Sequence, residues 1–312
     1  MHTQRLSSAP GDLARAAEML RAGQTVAFST ETVYGLGADA RNGSAVAAVF
    51  AAKGRPSFNP LIVHVADILA ARSLVQWSDT ADRLAAAFWP GALSLVLPVQ
   101  ADSGISSLVT TGLDTLAVRV PTNPVARHLL AAFDGPIAAP SANPSGRISP
   151  TTADHVMRGL DGQVAAIVDG GPCDVGLEST IIGLGDTPSL LRPGGLPAEV
   201  IEAALGETLR IPISEGEITV PGQSSSHYAP GATVRLNAEG PEGNEVYLSF
   251  GSRPGDRNLS PAGDLVEAAA RLFDALHALD ATGRPIAVAP IPEAGLGLAI
   301  NDRLRRASAP RG

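Results

Sequence analysis

Lysine is almost missing from this chain of 312 residues: among its 23 lysines and arginines, only Lys53 is a lysine. Arginine serves everywhere else, so an ammonium in Lys53-Gly54-Arg55-Pro56 suggests a need for a compact, strongly hydrated point charge, as phosphate requires, rather than a planar guanidinium fork. Taken singly, one solvated lysine in an arginine-biased composition is the better explanation, and the surrounding residues have to shift that balance. Cysteine is equally scarce. Cys173 is alone, which excludes an intramolecular disulfide, and the six histidines lack the spacing of a zinc site. This points to an intracellular protein without structural metal. Aromatics make up 4% and the net charge is −8, which argues against a broad electrostatic footprint for nucleic acid or anionic membrane, and no strong direct RNA binding is expected. Long hydrophobic runs are absent too: the most apolar stretch, residues 84–99, is broken by Trp89-Pro90-Gly91, and the first residues lack the apolar core of a signal peptide. A cytoplasmic protein with no membrane association is the expectation. No Walker A pattern occurs, and both Gly35-Leu36-Gly37 and Gly295-Leu296-Gly297 lack the third glycine of a dinucleotide fingerprint.

The length suits two α/β units, and 45% hydrophobic content is enough to build their cores. Asp12 is placed to cap a helix whose Leu13, Ala16, Ala17 and Leu20 share a face, with Gly23 ending it; Ser44 is placed to cap a second, which ends at Lys53-Gly54. In residues 61–65, strand alternation puts Ile62 and His64 on one face and Leu61, Val63 and Val65 on the other. Further strands are expected at 25–28, 93–97, 115–120, 136–139, 164–168, 179–184 and 189–191, with helices at 125–133, 153–160 and 198–205. So many strands with few helices between them predict a twisted mixed sheet in preference to a doubly wound parallel one. Residues 211–230 carry Pro, Gly and three successive serines without helical period and read as a linker. After it, strands at 233–236, 246–250 and 286–289 and helices at 265–279 and 298–306 predict a small α/β domain.

The polar residues expected at strand ends are Thr32, Lys53, Arg55, Asn59, His64, Arg119, Ser141, Asn143, Ser179 and Arg192. They supply cations and neutral donors but few carboxylates, the chemistry of an anion pocket. Each has a bland reading. His64 on a buried strand face is by default a satisfied core histidine; Arg192 before Pro193-Gly194-Gly195 is as readily a loop arginine; Ser141 and Asn143 suit turns; and Cys173 is a small loop residue. Arg119, flanked by Val118 and Val120, is harder to dismiss, because a guanidinium among buried neighbours needs an anionic or multiply hydrogen-bonded partner.

Together the segments STETVYGLGADA (29–40), KGRPSFNPLIVHV (53–65), WPGALSLVL (89–97), LAVRVP (116–121), APSANPSGRISPTTA (139–153), LESTII (177–182) and LRPGG (191–195) resemble the YrdC-like threonylcarbamoyl-AMP synthases, and SHYAP (226–230) with GLGLAINDRLRRA (295–307) resembles their longer two-domain form. The resemblance covers nearly the whole chain. It implies a YrdC-like catalytic domain over residues 1–210, a linker or lid over 211–231 and a small Rossmann-like α/β domain over 232–312. The implied enzyme is a nucleotidyltransferase: L-threonine and bicarbonate or CO2 form a carbamate that attacks the α-phosphate of ATP, giving threonylcarbamoyl-AMP and pyrophosphate, and a downstream tRNA threonylcarbamoyl transferase complex passes the group to the adenosine next to the anticodon. The family's signature falls on Lys53, Arg55, Ser141 and Asn143, which would hold the triphosphate. Asn59, Thr115, Ser149 and Arg192 would add nucleotide contacts, Tyr228 would close over the site, and Thr32, His64, Arg119 and Ser179 would bind threonine. Magnesium is expected on the ATP phosphates, with no protein ligand assigned. One departure is Ser224-Ser225-Ser226, where bulkier or basic residues often precede the His-Tyr-Ala-Pro element. Related carbamoyltransferases carry zinc-finger and acylphosphatase regions for which this chain has neither cysteines nor length.

Overall fold

Two sheets carry the structure, a computed structural model that describes residues 2–212, 220–221 and 227–310. The first combines β1 (Gln4–Leu6), β2 (Val26–Phe28), β3 (Gly35–Asp39), β4 (Ile62–His64), β5 (Leu93–Pro98), β6 (Thr115–Arg119), β7 (Ile137–Ala138), β8 (Ala166–Val168), β9 (Thr180–Leu184) and β10 (Pro188–Arg192) in the order β1-β8-β2-β3-β7-β4-β6-β5-β9-β10. Pairs such as β4 with β6 run parallel and pairs such as β5 with β6 antiparallel, so the sheet is mixed, as the irregular interleaving of strands and helices predicts. The two-residue period of the strands divides its chemistry. Leu61, Val63, Leu95 and Val118 point into the main core, while Ile62, Val96, Ala117 and Ile181 form a small apolar patch on the opposite face.

Helices cover the sheet as α1 (Pro10–Arg21), α2 (Gly43–Lys53), α3 (Ile68–Arg72), α4 (Asp79–Phe88), α5 (Ser107–Thr110), α6 (Pro124–Phe133), α7 (Ala153–Leu160) and α8 (Ala198–Leu205). Two expected caps are corrected. Helix α1 has Ala9 as its N-cap and Pro10 in its first turn, and Asp12 instead accepts hydrogen bonds from the Ser7 backbone N–H and hydroxyl, fixing the entering chain. Helix α2 is capped by Asn42, whose Oδ1 accepts from the backbone N–H groups of Ser44 and Ala45 at 3.0 and 3.2 Å, so Ser44 is already inside the helix. Helices α3 to α5 escape the sequence reading because they are short or, in α4, bury two alanines around Leu84, a weak apolar stripe. Strand β3 escapes it through its glycines: a Cβ on Gly37 would stand 2.8 Å from both Phe28 and Ile137, so close packing of neighbours, and not turn formation, demands that residue. Strand β1 is short and was likewise not expected.

In the second sheet β11 (Val234–Arg235), β12 (Val246–Ser249), β13 (Arg257–Asn258) and β14 (Ile286–Val288) are ordered β11-β14-β12-β13, with every pair parallel. Helices α9 (Leu265–Asp280) and α10 (Leu296–Ser308) pack on it. Only β13 was missed here, a two-residue strand without an apolar pattern. The core of this part includes Val33, Ile148 and Leu177 from the first part and Tyr228 from the linker, beside Leu272 and Phe273 of α9. The approach is close: a Cβ on Gly176 would lie 2.6 Å from the backbone of Ala269 and Ala270. Among the described residues no helix is long and apolar enough to cross a membrane. The expected linker falls largely on residues 213–219 and 222–226, Ser224-Ser225-Ser226 included, which lie outside the described residues.

The capping correction is testable by urea unfolding. Asn42→Ala is expected to destabilise by about 1 kcal/mol, the usual value of a lost N-cap, and Ser44→Ala by less than about 0.5 kcal/mol.

Candidate active site

On the face of the sheet away from the main core, β4 and β6 bring His64 and Arg119 into direct register. The cavity there is small, about 50 Å³, and its wall includes Thr32, Arg55, His64, Arg119, Ser141, Glu178, Ser179 and Arg192, with His227 and Tyr228 of the linker. Most of the predicted polar set thus converges on one place, although its members come from segments far apart in sequence.

Each cation is held before any ligand arrives. Arg119 donates from Nε to the Gly91 carbonyl at 3.1 Å, from Nη1 to the Thr32 hydroxyl at 2.9 Å and from Nη2 to Glu31, with which it forms a buried ion pair. The other Glu31 oxygen accepts from the backbone N–H groups of Thr122 and Asn123, so that carboxylate has no free role as a base. Arg192, the last residue of β10 and not a loop arginine, grips the Ser179 carbonyl through Nε and Nη2 and reaches the Pro221 carbonyl of the linker at 3.0 Å. Ser179 in turn shares a 2.8 Å hydrogen bond with Ser94. Arg55 is fixed by Asn59, donating to its backbone carbonyl at 3.1 Å and its side-chain oxygen at 2.7 Å.

Lys53, at the end of α2, donates from Nζ to the carbonyls of Ser141 and Asn143 and so ties the end of that helix to the loop that follows β7. Asn143 spends its amide on the carbonyls of Pro144 and Arg147. Ser149 donates to Glu178. Lys53, Asn59, Asn143 and Ser149 therefore stand directly behind the wall, each bonded to a residue or loop that lines it. Thr115 is different: it lies half-buried at the opposite end of β6 from Arg119, beyond the apolar patch, and does not line the cavity.

The electrostatics follow from burial. Desolvation, helped by Arg55, pushes the Lys53 ammonium well below its ordinary pKa; Arg55 itself is pushed down to about 10 and Arg192 is lowered. His64 is held neutral, its pKa pushed down to about 3 by burial and then by Arg119. His227 is lowered strongly by burial and by the Arg55 and Lys53 charges. Cations with few compensating anions store a demand for negative charge. Among the described residues, buried atoms without a hydrogen-bond partner include His64 Nδ1, Asn143 Oδ1, His227 Nδ1 and Arg303 Nη2. Cys173, by contrast, has its thiol pushed up by burial and is inert.

Sequence reasoning passed over Glu31, Glu178 and Arg303. The first two were visible as carboxylates set among hydroxyl residues in the STET and LEST segments; Arg303 lies in the tail segment, and only the tertiary fold carries it to Glu178, where Nε donates to Oε2 at 2.9 Å.

A second, shallower cleft between the two sheets' layers is lined by Asn143, Arg147, His155, Arg158, His277 and Asp280. Within it His155 of α7 and His277 of α9 stack at 3.9 Å. Burial pushes both down to about 4. A histidine lowered by folding is protonated first in the unfolded chain, so the contribution of this pair to stability is flat above about pH 6.5 and declines as pH falls from there toward 4. Urea unfolding across that window is expected to show the decline, and a His155→Gln/His277→Gln variant is expected to show a shallower one.

Comparison with known proteins fits this geometry. A family described as "Telomere recombination" matches residues 18–194, and one described as "Threonylcarbamoyl-AMP synthase, C-terminal domain" matches residues 196–309. A threonylcarbamoyl-AMP synthase of Bacillus subtilis is 42% identical over 99% of this chain and 96% of its own length, and one of Pyrococcus abyssi is 44% identical over 94% and 93%. The crystal structure of P. abyssi Sua5 complexed with L-threonine superposes with a TM-score of 0.90 at 40% identity, covering 99% of this chain and 98% of that one. HypF, at 17% identity and a TM-score of 0.54, shares the fold alone.

Proposed function

Because the chain belongs to the threonylcarbamoyl-AMP synthase family in its longer two-domain form, we propose that its cavity joins L-threonine, bicarbonate or CO2 and ATP into threonylcarbamoyl-AMP, releasing pyrophosphate. The observation that carries this reading is the convergence of Arg55, Arg119 and Arg192 on one cavity wall with Lys53 immediately behind it and, among the described residues, Glu178 as the only carboxylate in the wall. Such a site suits a substrate with several negative charges. The product would serve tRNA modification through a downstream transferase, in the cytoplasm where its substrates meet.

The chemistry asks little of acid–base groups. The threonine amine adds to CO2 and gives up a proton to water, leaving a carbamate; a carbamate oxygen then bonds to the α-phosphorus while the bond to the pyrophosphate oxygen breaks, so this step is a nucleotidyl transfer. Positioning and charge stabilisation dominate phosphoryl-type transfer, and both are what a wall of fixed guanidinium groups supplies. Arg119, with N–H donors to spare after binding Glu31 and Thr32, would take the threonine carboxylate, and neutral His64, Thr32 and Ser179 its amine and hydroxyl. Arg55, Arg192 and the Lys53-tied loop of Ser141 and Asn143 would hold the phosphates, with Asn59 and Ser149 keeping Arg55 and Glu178 in place. Thr115 would meet the far end of the nucleotide, across the apolar patch of Ile62, Val96 and Ala117. Magnesium fits only as an ion carried in on ATP: Glu31 and Glu178 are occupied by arginines, and among the described residues no cluster of His, Cys, Asp and Glu is placed to hold a metal. There it would neutralise phosphate charge.

Pyrophosphate release from ATP is expected only when threonine and bicarbonate are both present; release without threonine would overturn the reading. Lys53→Ala is expected to lower turnover by about 10²–10³-fold, the usual effect of removing one preorganised electrostatic partner, with Lys53→Arg recovering part of it. Serine, lacking one methyl, is expected to be used roughly 10–200-fold less well than threonine.

A further inference from the structure

The second domain supplies a charged residue to the edge of this site. Arg303 of α10 is fully buried, with 0% of its surface exposed. Its Nε donates to Glu178 at 2.9 Å, and its Nη1 donates to the Pro193 carbonyl at 2.7 Å and to Asp302 at 2.9 Å. Glu178 belongs to the cavity wall, and Pro193 follows Arg192, another wall residue. The guanidinium carbon of Arg303 also lies 5.3 Å from the centre of the Tyr228 ring. On that ring Phe273 of α9 stacks at 5.6 Å, with the planes 27° apart. Tyr228 is thus held by two residues of the second domain while it lines a cavity built by the first.

Its backbone shows that the position is imposed. Tyr228 has φ of 60°, a left-handed conformation that costs a bulky residue stability and persists only where the surroundings over-determine it. On either side the chain is anchored to different domains: the His227 N–H donates to the Arg306 carbonyl of α10, and the Ala229 N–H to the Gly146 carbonyl of the loop that follows Ser141 and Asn143. Arg303 itself is a poor choice if the need were only adhesion. Its Nη2 has no hydrogen-bond partner among the described residues, and an apolar side chain of the same volume commonly serves a buried contact as well or better than an ion pair.

We propose that Arg303 is a positioning residue for the synthase reaction: by fixing Glu178 in the wall and Tyr228 over the cavity, it makes closure of the site depend on the second domain. This inference rests on the function proposed above. Without Arg303 the carboxylate and the tyrosine lose their common support, and bound substrates remain open to water during the transfer.

The test is a double-mutant cycle of Arg303→Lys and Tyr228→Leu, read as steady-state kcat and KM for pyrophosphate release and normalised to the folded fraction from thermal melts. Lysine keeps the charge but loses the fork that spans Glu178, Pro193 and the ring. Arg303→Lys is expected to lower kcat/KM about tenfold or more, mainly through kcat. The double variant is expected to lose less than the sum of the two single losses, because both changes act in part on one arrangement, while the Glu178 contact is Arg303's alone. Should the lysine variant fail to fold, Arg303→Met, of similar volume and without charge, takes its place in the cycle. Val288→Ala, which loosens the same domain in β14 away from the site, is expected to lower the melting temperature with kcat/KM of the folded fraction unchanged. Additive losses from Arg303 and Tyr228, or an Arg303 variant as active as the Val288 control, would overturn the proposal while leaving the synthase reading intact. Absence of threonine-dependent release in the unaltered enzyme would remove that reading, and the positioning role with it.

Discussion

Buried guanidinium groups are the constraint around which this molecule is arranged. Arg55, Arg119, Arg192 and Arg303 are all buried, and each must be paired or hydrogen-bonded on nearly every side before it is worth withdrawing from water. The wall of the site is the result. Arg119 fixes Glu31 and the Thr32 hydroxyl, Arg192 fixes the start of β9 through the Ser179 carbonyl, Arg55 fixes its own loop through Asn59, and Arg303 fixes Glu178. The geometry of an anion site is thereby established by partners that are mostly backbone carbonyls. These hold the positive groups without neutralising them.

That arrangement explains the scarcity of carboxylates. Glu31 and Glu178 each answer one arginine and are further satisfied by backbone N–H groups, in the case of Glu31, or by the Ser149 hydroxyl, in the case of Glu178. Burial works to raise the Glu178 carboxyl, and the charges of Arg303 and Arg192 outweigh it and hold it ionised. Neither acid is available as a general base, which agrees with a reaction that needs alignment of a charged nucleophile and a charged electrophile more than it needs proton transfer.

Much of this was legible in the sequence, and the parts that were not have physical reasons. Alternation in residues 61–65 separates the core face from the site face, and the single lysine marks the end of a helix from which its ammonium ties down the Ser141 and Asn143 carbonyls. Mixed strand pairing follows from the irregular interleaving of strands and helices, although more helices cover the sheet than the sequence showed. Helix α4 was hidden because alanine gives a faint stripe, β3 because glycines dictated by packing look like glycines dictated by turns, and the cap of α2 because Asn42 and Ser44 are both good cap residues two positions apart. Arg303 was unreadable for a different reason. Its partner lies in another domain, and no local pattern in a chain encodes which distant carboxylate an arginine will meet.

The hydrophobic cluster that joins Val33, Ile148 and Leu177 to Tyr228, Leu272 and Phe273 has a bearing on how the chain folds and fails. Neither part can complete that cluster by itself; separated from the other, each would present to water an apolar face that the intact chain buries, of the kind that drives association between molecules. Gly176, where the backbones come too close for any side chain, marks how tightly the two parts approach. A chain cut at the linker would therefore uncover apolar surface on both of them.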